Sequence, residues 1–140
     1  MAKVSFTVSG QPQGKGRPRF SKQRSGNVIT RTPYNTVVYE NLIRMQYQAQ
    51  CGYRFPDDEM IDLRIRAYYQ IPKSASKRRK DAMADGVIRP TTTPDVDNIL
   101  KAVSDSLQGI AYRDDKSIVD AQIRKYYSLE PRLVITIQSV

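Results

Sequence analysis

The chain has 140 residues, with 23 Lys and Arg against 14 Asp and Glu, no histidine and one cysteine, giving a formal net charge of +9. The absence of histidine excludes Ser-His-Asp and Cys-His catalysis and His-ligated zinc, and a lone Cys51 supports neither an internal disulfide nor a multi-Cys zinc site. Any chemistry must come from Asp, Glu, Lys, Tyr or a metal held by oxygen ligands.

The length fits one domain over 1–140, and no apolar run approaches the roughly 18 residues of a membrane span. The N-terminus alternates instead of forming a signal-peptide core, so the expected setting is reducing and cytoplasmic. Charge is unevenly distributed. Residues 1–56 carry nine Lys and Arg against Glu40 alone, whereas 94–140 carry six basic and seven acidic residues. A basic surface of this kind attracts phosphate backbones by releasing condensed counterions.

In chain order, Val4, Phe6 and Val8 alternate with polar residues and predict a half-buried strand. Residues 10–31 mix Gly, Pro and basic residues, predicting an irregular hairpin with pairing near Arg19–Phe20 and Val28–Thr30. Within it Lys15, Arg17 and Arg19 alternate, so an extended backbone puts them on one side, as candidates for DNA-backbone contact. The segment lacks the spacing of a nucleotide-binding P-loop. Thr32 suits an N-cap and Pro33 a first helical position; Tyr34, Val38, Leu42, Met45 and Ala49 then follow helical spacing up to Gly52. Ile61, Leu63, Ile65 and Ala67 predict a strand. Residues 72–93 form a basic loop with one short helix near the centre, and Lys77, Arg78, Arg79 and Lys80 are its candidate DNA contacts. Ile99, Leu100, Val103 and Leu107 make a helical stripe that Gly109 ends. Two further strands run through Val119–Ile123 and Leu133–Ile137, with SLEPR as a hairpin turn between them. The fold class is α+β (mixed α/β), a small mixed sheet packed against two main helices.

Residues 94–115, PDVDNILKAVSDSLQGIAYRDD, hold five of the fourteen acidic residues, all Asp. On a helix starting near Asp95, the side chains of Asp97, Lys101 and Asp105 form one polar stripe. A structural reading makes Asp95 a cap and pairs Asp97 with Lys101. Asp114 and Asp115 follow Gly109, so helix capping does not explain them. Converging carboxylates repel and raise at least one pKa unless a cation is present. Mg²⁺ takes oxygen ligands, often a few carboxylates plus substrate phosphates. One reading is therefore a metal-dependent site that cuts the polyanion the basic surface recruits, with Lys101 stabilising developing negative charge. The other is a non-catalytic DNA- or RNA-binding module whose Asp residues cap and salt-bridge; a ribosome-associated or nucleoid packing protein is a third. Tyr112, beside the Asp pair, is a candidate for stacking on an exposed base.

PDVDN, Lys101, Asp105, LQG and YRDDKSIVDAQIRKYY together resemble the RusA family of Holliday-junction resolvases, particularly its phage-type branch. The similarity extends upstream to KGRPRF, TPYNTVVYE and KRRKDAMADG. The resemblance implies a Mg²⁺-dependent endonuclease (with Mn²⁺ as a substitute) that acts as a homodimer on four-way DNA junctions in recombination and repair. It implies metal-binding carboxylates at Asp95, Asp97 and Asp115, a functional lysine at Lys101, and supporting roles for Asp105 and Asp114. Pro94 stands where some members carry a basic residue. Two nicks in strands related by a twofold axis also favour a twofold dimer.

Overall fold

The alternating segments fold as the strands that their pattern predicts. The computed structural model describes residues 2–16, 19–31 and 33–140. Four strands, β1 (Lys3–Ser9), β4 (Ile61–Gln70), β5 (Ile118–Ser128) and β6 (Arg132–Ser139), form a mixed sheet in the order β1-β6-β4-β5. β2 (Arg19–Lys22) and β3 (Val28–Arg31) form a separate antiparallel hairpin that pairs Arg19 with Arg31 and Lys22 with Val28. α1 (Tyr34–Gln50) and α3 (Val96–Leu107) pack on each other, and their buried side chains join the sheet's in one core. α2 (Lys77–Ala84) lies beside β5. No helix among the described residues is long and apolar enough to cross a membrane.

β4 holds the centre of the sheet. Ile61, Leu63, Ile65, Ala67 and Tyr69 bury one of its faces, against Phe6 and Val8 of β1, Leu133, Ile135 and Ile137 of β6, and the two helices. Ile99, Val103 and Leu107 of α3 are fully buried there; each such side chain contributes about 1.5–3 kcal/mol of hydrophobic stabilisation. Gly109, at φ +83°, reverses the chain after α3. The Gly109 and Ala111 N–H groups bond to Tyr112 O and Leu107 O, returning 113–117 alongside the helix they have just left.

Three sequence expectations need correction. SLEPR does not close a hairpin: β6 pairs antiparallel with β4 and β1, and β5 pairs parallel with β4. β4, the most thoroughly buried strand, is inserted between the two, and the short link crosses its end. On α1 the buried residues are Thr36, Tyr39, Glu40, Ile43 and Tyr47. The stripe Tyr34, Val38, Met45 and Ala49 points outward, with Leu42 half-buried. Pro33 is the N-cap of this helix, which therefore starts one position later than expected, and Thr32 lies outside the described residues. Finally, a register shift at Ile61/Asp62 changes the phase of β5, leaving Val119 exposed while Ile118 and Ile123 pack toward the core.

Candidate active site

The loop 11–16 is laid across the N-terminal ends of α1 and α3 and requires glycine at two points. A Cβ on Gly14 would meet Asn98 Cβ at 2.8 Å and Pro94 Cβ at 2.9 Å, and one on Gly16 would meet Thr36 Oγ1 at 2.5 Å. The Lys15 N–H donates to Asn98 O at 3.0 Å and the Gly16 N–H to Thr36 Oγ1 at 2.9 Å. Between them the Lys15 ammonium reaches Glu40 on α1 at 3.1 Å and Asp105 on α3 at 3.3 Å. Burial alone would lower its pKa, but hydrogen bonds and charge from Glu40, then from Asp105, hold it above the ordinary lysine value. Lys15, read from sequence as a DNA contact, is thus the strut joining loop, α1 and α3. Below the loop the buried Tyr39 hydroxyl faces the Gln13 backbone without completing a hydrogen bond of normal geometry, and burial pushes the phenol up to about 12.

The five Asp residues of 94–115 divide by partner. Asp105 pairs with Lys15 and, at 3.2 Å, with Lys101. Asp114 accepts the Lys116 N–H at 3.0 Å, capping the 3-10 turn Asp115–Ser117. Asp95 occupies the N-cap position of α3 but makes no side-chain cap hydrogen bond, and Lys101 turns toward Asp105, not Asp97. Among the described residues Asp95, Asp97 and Asp115 form no ion pair, so of the structural roles first available to Asp95 and Asp97 only the favourable interaction of their charge with the N-terminus of α3 remains.

Their placement follows the axis of α3. Asp95 sits at the helix start, where Tyr69 donates to Pro94 O at 2.6 Å; burial, then the Asp95 charge, push this phenol up. Asp97 is exposed one turn before Lys101. Asp115 comes back toward Lys101 and Asp105. Its carboxyl is held above the ordinary value, first by a hydrogen bond with Asp114 and then by burial, while the Lys101 charge pulls it the other way. Asp114 is held low by the Lys116 N–H and by the same carboxyl contact. Among the described residues no three acidic side chains close into a preformed metal cage. The donor chemistry is nonetheless that of a hard cation: two exposed carboxylates, Asp95 and Asp97, and a half-buried third, Asp115, with no ion-pair partner among the described residues. An open arrangement suits Mg²⁺, which keeps waters and shares its coordination with substrate phosphates.

Beside Asp105, Lys15, Glu40, Arg44, Gln108 and Arg113 line a groove of about 580 Å³ between α1 and the end of α3. Arg44 is fixed there by donating to Ser106 O at 2.9 Å. Sequence reading missed Arg44 and Arg113, isolated cations that only the return of 113–117 brings together.

Lys77, Arg78 and Arg79 are exposed, and Lys80 half-buried, on the first turn of α2. Ser76 caps that turn by accepting the Arg79 N–H at 3.3 Å. Cations at a helix N-terminus oppose its dipole, a cost that an external anion offsets. Arg17 and the side chain of Arg19 lie outside the described residues. Tyr112 offers no ring for base stacking: it is 1% exposed and donates to Ser104 O at 2.6 Å.

Residues 9–138 match the family model described as Endodeoxyribonuclease RusA. The chain is also 37% identical over 142 residues to a Bacillus subtilis (strain 168) protein named as the uncharacterized protein YqaN, covering 98% of this chain and 96% of that protein.

Proposed function

The chain belongs to the RusA endodeoxyribonuclease family, and from that premise we propose that it resolves four-way DNA junctions by metal-dependent phosphodiester cleavage at the outer stripe of α3. The single observation that carries this reading is the division of the five Asp residues: those at 95, 97 and 115 are left without an ion-pair partner among the described residues in a chain rich in cations. Asp95, Asp97 and Asp115 would hold Mg²⁺, or Mn²⁺ in its place. Bound there, the ion would supply an acidified water and charge balance for the phosphodiester oxygens.

The chain's own side chains do the rest. Lys101, half exposed and held by Asp105 at 3.2 Å, directs an ammonium to negative charge developing on the scissile phosphate or leaving oxygen. Asp105 fixes Lys101 and Lys15 together, so the position of the catalytic cation is tied to the loop–helix frame. The exposed cations of α2 grip the backbone at a distance from the cut.

Two nicks in symmetric strands call for two such sites. The outward stripe Tyr34, Val38 and Met45 of α1 is an apolar face suited to a second copy in a twofold dimer. The test is incubation with four-way junction, flap and plain duplex DNA, each with and without Mg²⁺. Paired symmetric nicks confined to the junction and dependent on the ion are expected. Binding with no cleavage of any substrate would return the chain to the class of non-catalytic binding modules.

A further inference from the structure

The face of the sheet turned away from α1 and α3 carries charge that the cleavage site does not use. Register places Arg66 directly beside Arg124 on the parallel pair β4–β5, with both side chains exposed. Like charges directly opposite destabilise a sheet, so the pair has a standing cost that a bound anion removes. Together with Lys3 of β1 and Arg64 of β4 they line a concavity of about 260 Å³, completed by Gln122, Thr136 and Gln138. Arg64 is held by Asp62 at 3.1 Å, and Gln138 donates to the same carboxylate at 2.9 Å. Lys3, Arg66 and Arg124 have no carboxylate partner among the described residues.

One register step further, four planar groups stand in a row across the same face. The Arg132 guanidinium lies 4.0 Å over Tyr68, Tyr68 stacks on Tyr126 at 5.6 Å, and Arg89 lies 4.4 Å over Tyr126. Both faces of each ring are taken, so the row does not accept a base. It holds two guanidiniums rigidly beside the concavity, an arrangement that reads phosphate and not sequence.

We propose that this open sheet face, centred on Lys3, Arg66 and Arg124, is a second, non-catalytic site that binds the phosphate backbone of DNA. A second copy of the chain fits less well, because two such faces would bring unpaired cations together, whereas interface cores are depleted of charge. The choice of DNA as the polyanion rests on the proposed function. The site lies on the side of the sheet opposite the α3 carboxylates, so one protomer contacts DNA on two sides.

The experiment compares the full-length wild type with the Lys3→Gln, Arg66→Gln, Arg124→Gln triple variant and with Arg124→Gln alone. Binding to fluorescent four-way junction and to duplex of equal length is read by anisotropy against NaCl concentration, without divalent metal. Each lost phosphate contact should reduce the slope of log K against log salt by about 0.9, so the triple variant should lose about 2–3 units. Its affinity near physiological salt should drop at least tenfold. Arg124→Gln, on an exposed edge-strand position, should lose about one unit and guards against misfolding of the triple variant. An unchanged slope in either variant overturns the proposal. So does a fall in sedimentation mass, which would make the face a subunit interface. Equal wild-type affinity for junction and duplex would count against the junction reading and leave the slope comparison intact.

Discussion

The loop 11–16 and the segment 94–115 both place charge against α3, and they use it in opposite ways. In the loop, Lys15 is saturated by Glu40 and Asp105, so its charge is spent on holding two helices and a strand connection in place. In the segment, Asp95 and Asp97 are exposed and Asp115 is half-buried, and none of the three has an ion-pair partner among the described residues. Charge satisfied within the chain is architecture; charge left unsatisfied at such density is addressed to something outside it. That distinction sorts the cations equally well: Lys15 belongs to the frame, whereas the exposed cations of α2 and of the open sheet face do not.

The largest expected effect tests the cleavage side. Lys101 is 57% exposed at its side chain, so its pair with Asp105 contributes little to stability. Lys101→Ala should therefore slow single-turnover junction cleavage by about 10²–10³, the usual loss for one charge-stabilising donor, with Tm almost unmoved. A large fall in Tm instead would move Lys101 into the frame. Lys15→Ala tests the other side. It leaves Glu40 without its cation beside an Asp105 held by Lys101 alone, and should cost about 1–3 kcal/mol in urea unfolding. A stability within 0.3 kcal/mol of wild type, on the order of measurement error, would contradict the strut. Tyr39→Phe sharpens the same region with opposite sign. Removing a buried hydroxyl that completes no hydrogen bond should leave stability unchanged or raise it by up to about 1 kcal/mol. The smallest effect is expected from Arg79→Ala, which should reduce the salt slope of DNA binding by about 0.9 and leave folding intact. An unaltered slope would make the α2 turn a bystander.

The charged positions themselves were legible in the sequence, because the stripe Asp97–Lys101–Asp105 and the pair Asp114–Asp115 announce themselves by spacing alone; their division by partner was not, since Lys101 turns to Asp105 and Lys15 to Glu40 and Asp105. The order of elements was legible too, since alternation in β1 and β4 and the stripe of α3 are direct consequences of burying one face. The phase of α1 was not. Periodicity weighs hydrophobicity, and it selected Tyr34, Val38 and Met45. The helix instead buries Thr36 and Glu40, because these receive the Gly16 N–H and the Lys15 ammonium of a distant loop. Tyr39, Ile43 and Tyr47 complete the buried face at helical spacing, so two apolar stripes competed in the sequence, and polar partners twenty or more residues away favour the one that carries Thr36 and Glu40. The position of β6 was hidden for a related reason. A short turn between two strands implies direct pairing, but β4 buries more apolar surface than either and takes the place between them. The role of Lys15 was also misread from composition, since a lysine among arginines looks like a phosphate contact until its carboxylates are found.

The central claim is that the unpaired carboxylates of α3 serve cleavage and not folding. Asp97→Asn tests it most directly, with single-turnover cleavage of a four-way junction in Mg²⁺ measured beside Tm in metal-free buffer. The account predicts cleavage reduced at least about a hundredfold, with Tm equal to or above that of wild type because a local negative charge has gone. Cleavage within threefold of wild type, on the order of 0.6 kcal/mol, or a clear loss of Tm, would contradict it.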